Sequence, residues 1–158
     1  MWLLAGLALL SLAACASVGG GEEPKRAART QVDERRPVER AAQHAATMVG
    51  KPYKYGGSNP AGFDCSGLVQ FSFRQAGISL PRSTEEQRRA ARKVRASGLQ
   101  PGDLLFFDQQ GKKHGHVGIY VGRGEFVHAP SSGKRVRRDP VDSPYWQKHL
   151  SEVRRINA

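Results

Sequence analysis

The sequence predicts an α+β fold, with N-terminal helices packed on a central antiparallel β-sheet. Two observations carry this. Helix caps and apolar helical faces occupy the chain up to about Val94, and short apolar runs joined by Gly-containing turns fill it from Leu104 onward. Helices first and strands later is the α+β order.

The first helix is expected from Pro37 to Gly50, where Pro suits a first helical turn and Gly a stop. His44 lies inside it and reads as a structural or surface residue. Lys51 to Gly62 is dense in Gly and Pro and reads as a loop. A second helix follows, with Asp64 as N-cap, Cys65 in the first turn, an apolar surface from Leu68, Val69, Phe71, Phe73 and Ala76, and Gly77 as the left-handed end. There the helix dipole and unpaired N–H groups are expected to lower the Cys65 pKa toward a thiolate. Ser83 and Glu86 have capping-box spacing and announce a third helix running to about Val94.

After the turn at Gln100-Pro101-Gly102-Asp103, strands are expected over Leu104–Phe107, His116–Val121, Glu125–His128 and Lys134–Arg137, connected as an antiparallel meander. In the strand at 116–121, Val117, Ile119 and Val121 share one face, and His116, Gly118 and Tyr120 share the other. Gly118 is expected to leave room for the Cys65 helix to approach.

A length of 158 residues suits one domain with a core, preceded by an N-terminal segment. Lys plus Arg total 25 against 14 acidic residues, a net charge of +11 that attracts polyanions. The basic residues are spread along tether, helix and tail without interleaved aromatics, which argues against nucleic acid. Met1 to Leu12 is uncharged, and Trp2 to Leu10 is an apolar run of signal-peptide length. Leu12-Ala13-Ala14-Cys15 resembles the lipobox of bacterial lipoproteins, which implies lipidation at Cys15. By the same resemblance, Ala16 rather than Asp after the cysteine implies sorting to the periplasmic face of the outer membrane. The expected organisation is a signal peptide over 1–14, lipidated Cys15 and a Gly-rich, charged, flexible tether over 15–37, and a catalytic domain over 38–158. With Cys15 lipidated, Cys65 is left as a lone thiol, which in an oxidising compartment is either buried or has a job.

A nucleophilic thiol needs a base, and His116 and His128 stand in the strand region. Paired metal-ligand spacings are lacking, so no metal and no cofactor is expected. Six stretches carry a resemblance: Pro52-Tyr53-Lys54-Tyr55-Gly56-Gly57, Phe63-Asp64-Cys65-Ser66-Gly67-Leu68-Val69, Leu80-Pro81-Arg82-Ser83-Thr84, Pro101-Gly102-Asp103-Leu104, His116-Val117-Gly118-Ile119-Tyr120 and Phe126-Val127-His128-Ala129. In this order they resemble the NlpC/P60 family of cell-wall peptidases. Pro144-Tyr145-Trp146 and Arg154-Arg155 look like its Spr-like lipoprotein endopeptidases.

The resemblance implies a circularly permuted papain-like fold, with Cys65 as nucleophile, His116 as general base and His128 as the polar group that orients the imidazole. Tyr53 becomes a candidate oxyanion donor. His114 is the rival base, but the family histidine immediately precedes Val-Gly-Ile-Tyr, which selects His116. Asp64, Ser66 and Arg82 are expected, by analogy, to bind substrate. The implied activity is a monomeric murein endopeptidase cutting peptidoglycan stem peptides at the D-Ala to meso-diaminopimelate crosslink or at D-Glu(γ) to diaminopimelate. The alternative is a non-catalytic peptidoglycan-binding lipoprotein.

Overall fold

The computed structural model describes residues 37–157. The expected signal peptide, Cys15 and nearly all of the expected tether lie outside them. Helix α1 spans 37–47 and ends in a turn closed by Gly50 at φ +89°. A two-residue hairpin follows, β1 (Ser58–Asn59) with β2 (Gly62–Phe63), and leads into α2 (Cys65–Gln75). Asp64 caps α2 by accepting from the Gly67 N–H, and Gly77 takes φ +85° beyond its end. Both caps agree with the sequence reading.

Helix α3 (Thr84–Ala90) carries the full Ser83/Glu86 capping box but stops four residues short of Val94. Arg92–Val94 instead forms strand β3, paired antiparallel with the C-terminal strand β8 (Leu150–Arg155). Backbone pairing with a segment some sixty residues away thus overrides the local helical pattern, a long-range term no window of sequence contains.

Strands β4 (Leu104–Gln109), β5 (Lys112–Gly122), β6 (Glu125–His128) and β7 (Arg137–Pro140) form the expected meander, inside a six-stranded antiparallel sheet of order β3-β8-β4-β5-β6-β7. The last meander strand lies later than expected. Lys134 to Val136 pairs with the loop before α2: the Tyr53 N–H donates to Lys134 O, and the Val136 N–H to Lys51 O. That contact ties the Tyr53 loop to the β6–β7 connection.

The sheet divides two cores by residue parity. On one face α1 and α2 bury Ala41, Ala45, Leu68, Val69 and Phe73 against Leu104, Phe106, Val117, Ile119 and Val127. On the other, Leu105, Phe107 and Phe126 pack with Trp146 of α4 (Pro144–His149). His116 and Gly118 belong by parity to this second face. A Cβ built on Gly118 meets the Phe126 ring at 2.5 and 3.0 Å. Gly118 therefore makes room for Phe126, not for the Cys65 helix.

Candidate active site

Cys65 opens α2, so its backbone N–H has no intrahelical acceptor. The thiol and Tyr53 line one open cleft of about 880 Å³ together with Asp64, Ser66, Arg82, Thr84 and His116. The β5–β6 ladder ends at the Ile119/Val127 pair, and just beyond it the Val117 backbone lies close enough to the Cys65 sulfur to favour its ionised form. Thr84 Oγ1 lies 3.8 Å from Sγ on the other side. Helix α3 is held there by Gln87, whose side-chain amide donates to Ser66 O and Pro81 O, each at 2.9 Å.

The thiol does not rest as a thiolate. Burial pushes the Cys65 pKa up, and this outweighs the lowering by the Val117, Thr84 and Ser66 hydrogen bonds. The helix start was expected to lower this pKa, and burial reverses the direction.

His116 and His128 are 3% and 0% exposed, and His116 Nε2 lies 2.8 Å from His128 Nδ1. Phe126 packs on His128 at 4.9 Å between ring centroids, Trp146 stacks on His116 at 5.8 Å, and Phe107 packs against Trp146 at 4.7 Å. This aromatic box desolvates both imidazoles, bringing His116 down to about 3 and His128 to about 4. Both are neutral at pH 7.

His128 Nε2 in turn meets Asp139 Oδ2 at 3.0 Å. The same oxygen accepts from Trp146 Nε1 at 2.9 Å and from Arg137 Nη2 at 2.8 Å. Burial raises the Asp139 pKa, but Arg137 and Trp146 donation with the His128 interaction holds it below the ordinary carboxylate range. Tyr53 is shifted up, first by burial and then by Cys65 and Asp64, so its phenol stays an O–H donor.

Asp64, Ser66 and Arg82 line the cleft together but bond chiefly to one another. Arg82 donates to Asp64 Oδ2 at 2.5 Å and to Ser66 Oγ at 2.8 Å, while Asp64 also holds the Gly67 and Gly56 N–H groups. They form a braced polar wall of the cleft. His114 lines the same cleft as the thiol but is held by other partners. A register shift opposite Phe107 to Gln109 places it at φ +52°, breaking its parity with His116, and its Nδ1 lies 2.8 Å from Ser151 Oγ.

A nucleophile, a buried imidazole and an O–H donor on one cleft wall can carry out acyl transfer through sulfur. The sequence model of the NlpC/P60 family matches residues 50–155, the stretch from the loop before Tyr53 to the end of β8. The chain belongs to the NlpC/P60 family.

Among similar proteins, the bifunctional muramidase/DL-endopeptidase CwlT of Bacillus subtilis is 46% identical over 121 residues, covering 75% of this chain and 36% of CwlT. The murein DD-endopeptidase MepS/murein LD-carboxypeptidase of Escherichia coli is 46% identical over 112 residues, covering 70% of this chain and 58% of MepS. The crystal structure of an NlpC/P60 family protein from Bacillus cereus superposes with a TM-score of 0.70 at 31% identity, over 77% of this chain and 40% of that one. The chain thus spans between about a third and three fifths of these proteins' lengths.

Four residues of the site went unread in the sequence as functional: Asp139, Arg137, Trp146 and Thr84. Asp139 stands opposite Phe126 and Arg137 opposite His128 across the β6–β7 ladder, which puts the carboxylate diagonal to the imidazole. Parity within Arg137-Arg138-Asp139 was a usable signal, but the register that gives it meaning was not.

Proposed function

We propose that this domain is a peptidoglycan endopeptidase that hydrolyses stem-peptide bonds through a thioester on Cys65. The observation that carries the reading is the His116–His128 hydrogen bond. It occupies His116 Nε2 and leaves Nδ1 as the nitrogen free for the thiol proton.

In the first step Sγ attacks the carbonyl carbon as its proton passes to His116 Nδ1, so a neutral pair becomes an ion pair only as the C–S bond forms. The Cys65 N–H and the Tyr53 O–H, both on the cleft, are the donors assigned to the oxyanion, and loss of one such donor typically costs about a hundredfold or more in rate. His116 then protonates the departing amine, and the thioester is cleaved by a water that His116 deprotonates.

The bond attacked is an amide within the stem, the D-Ala to diaminopimelate crosslink or D-Glu(γ) to diaminopimelate. Relatives of equal identity carry DD- and DL-endopeptidase names, which supports the class and leaves both bonds in play. The lipobox-like Leu12-Ala13-Ala14-Cys15 supports attachment of the domain to the periplasmic face of the outer membrane, with the tether supplying reach.

Incubation of the purified chain with defined crosslinked and uncrosslinked muropeptides tests the reading. New amino termini at one of the two bonds are expected, with none from Cys65→Ala. Intact muropeptides from folded wild-type protein would reject the hydrolase and favour a binding module, and wild-type turnover by Cys65→Ala would reject the sulfur mechanism.

A further inference from the structure

We propose that Asp139 is a positioning residue of this site, which acts through His128 to hold His116 in the one tautomer that can accept the Cys65 proton. The inference rests on the Cys65–His116 reading above.

The argument is one of donors and acceptors along a buried line. An ionised carboxylate only accepts, so the His128 Nε2 atom, 3.0 Å from Asp139 Oδ2, must carry its hydrogen. A neutral imidazole has one N–H, so His128 Nδ1 is then an acceptor. The His116 Nε2 atom at 2.8 Å from it must therefore donate, and His116 Nδ1 is left bare. Reversing any link sets two donors or two acceptors face to face inside a box where neither can turn to water.

Asp139 is suited to begin this line because its oxygen is held by groups that do not titrate. Trp146 Nε1 and the Arg137 guanidinium donate to the same Oδ2 at 2.9 and 2.8 Å. A bare surface ion pair with Arg137 needs neither the indole nor the histidine on that atom. The carboxylate has a second use in the reaction. When His116 takes the proton, Asp139 is the charge that favours the cation, against Arg137 on the same strand.

Two variants separate direction from charge. In Asp139→Asn, Trp146 and Arg137 still demand an acceptor, so the amide oxygen takes the place of Oδ2, keeping the tautomer but not the charge. In Asp139→Ala both are lost. The test uses the full chain with Cys15→Ser, labelled with ¹⁵N-histidine. Ring nitrogens are assigned by single His→Gln variants and read by long-range ¹H–¹⁵N NMR at pH 7.

Wild type and Asp139→Asn are expected to show His116 protonated at Nε2, and Asp139→Ala a mixed or reversed tautomer. Turnover is expected to fall about tenfold in Asp139→Asn and about a hundredfold in Asp139→Ala, with KM unchanged because Asp139 does not touch substrate. Alkylation of Cys65 by iodoacetamide is expected to slow in the same order.

A wild-type His116 protonated at Nδ1 overturns the proposal, whatever the variants do. So does an alanine variant that keeps the tautomer and the alkylation rate. Should Asp139→Ala not fold, the wild-type tautomer and Asp139→Asn still decide. Correct tautomers without muropeptide cleavage leave the relay standing and reject the assigned substrate instead.

Discussion

Gly118→Ala tests whether the second core and the site are one mechanical unit. The added methyl carbon falls 2.5 Å from Phe126 Cδ2, 3.0 Å from Cε2 and 3.2 Å from Val127 O. Carbon atoms settle at about 3.5 Å or more, so the ring must retreat by about 1 Å. It has nowhere free to go: Phe126 is fully buried, with Phe107 and Trp146 each at 5.1 Å and His128 at 4.9 Å between centroids. Overpacking of this kind costs about 1–3 kcal/mol, against a backbone gain of about 0.5–1 kcal/mol for replacing a strand glycine. The expected net loss is about 1–2 kcal/mol by urea unfolding. A displacement of that size at His128 is also expected to lower turnover by about a hundredfold. Adding Phe126→Leu should recover part of the stability lost, as coupling between contacting residues requires. A Gly118→Ala protein as stable and active as wild type, or one that Phe126→Leu further weakens additively, would refute the reasoning.

Acid should weaken the fold through the histidine pair. Both are neutral when folded and take protons near pH 6.5 when unfolded, so their contribution is whole above that pH and is lost as pH falls toward the folded values of about 3 and 4. From pH 7 to 5 the loss is about 2 kcal/mol for each, about 4 in all, and His116→Gln/His128→Gln should remove most of that slope in urea titrations. Asp103 is fully buried and is gripped by Arg155 at 2.6 and 2.7 Å. Arg155→Ala, which strands that charge, should cost about 3–5 kcal/mol, and Asp103→Asn/Arg155→Met should stand closer to wild type. Ser83→Ala removes the α3 capping box and should cost about 1 kcal/mol; no change in the urea midpoint would make the cap ornamental. In muropeptide assays His128→Gln should retain more turnover than His116→Ala, because an amide can still accept from His116 while nothing replaces the base.

The parts of the fold legible in the sequence were those whose signals are local. The N-cap at Asp64, the left-handed end at Gly77, the capping box at Ser83 and the alternation around His116 depend on residues within a turn of one another, and each stands where its chemistry required. Strand β3 was misread as helix because Arg92 to Val94 owes its form to β8. Gly118 was assigned to the wrong neighbour because parity names a face without saying what covers it. His114, the rival base, lies two residues from His116, and only the register shift in the β4–β5 hairpin puts the two out of step.

What the chain determined alone was the cast: a cysteine at a helix start, two histidines on strands, and a motif order that identified the family. That follows from chemistry written into short segments. Tertiary structure decided how the cast is wired. Only the β6–β7 register brings Asp139 to His128, and only the α4 face brings Trp146 over both imidazoles. The protonation of the thiol changed for the same reason. A helix terminus acts over one turn and can be read from sequence, whereas desolvation sums over everything packed around the sulfur.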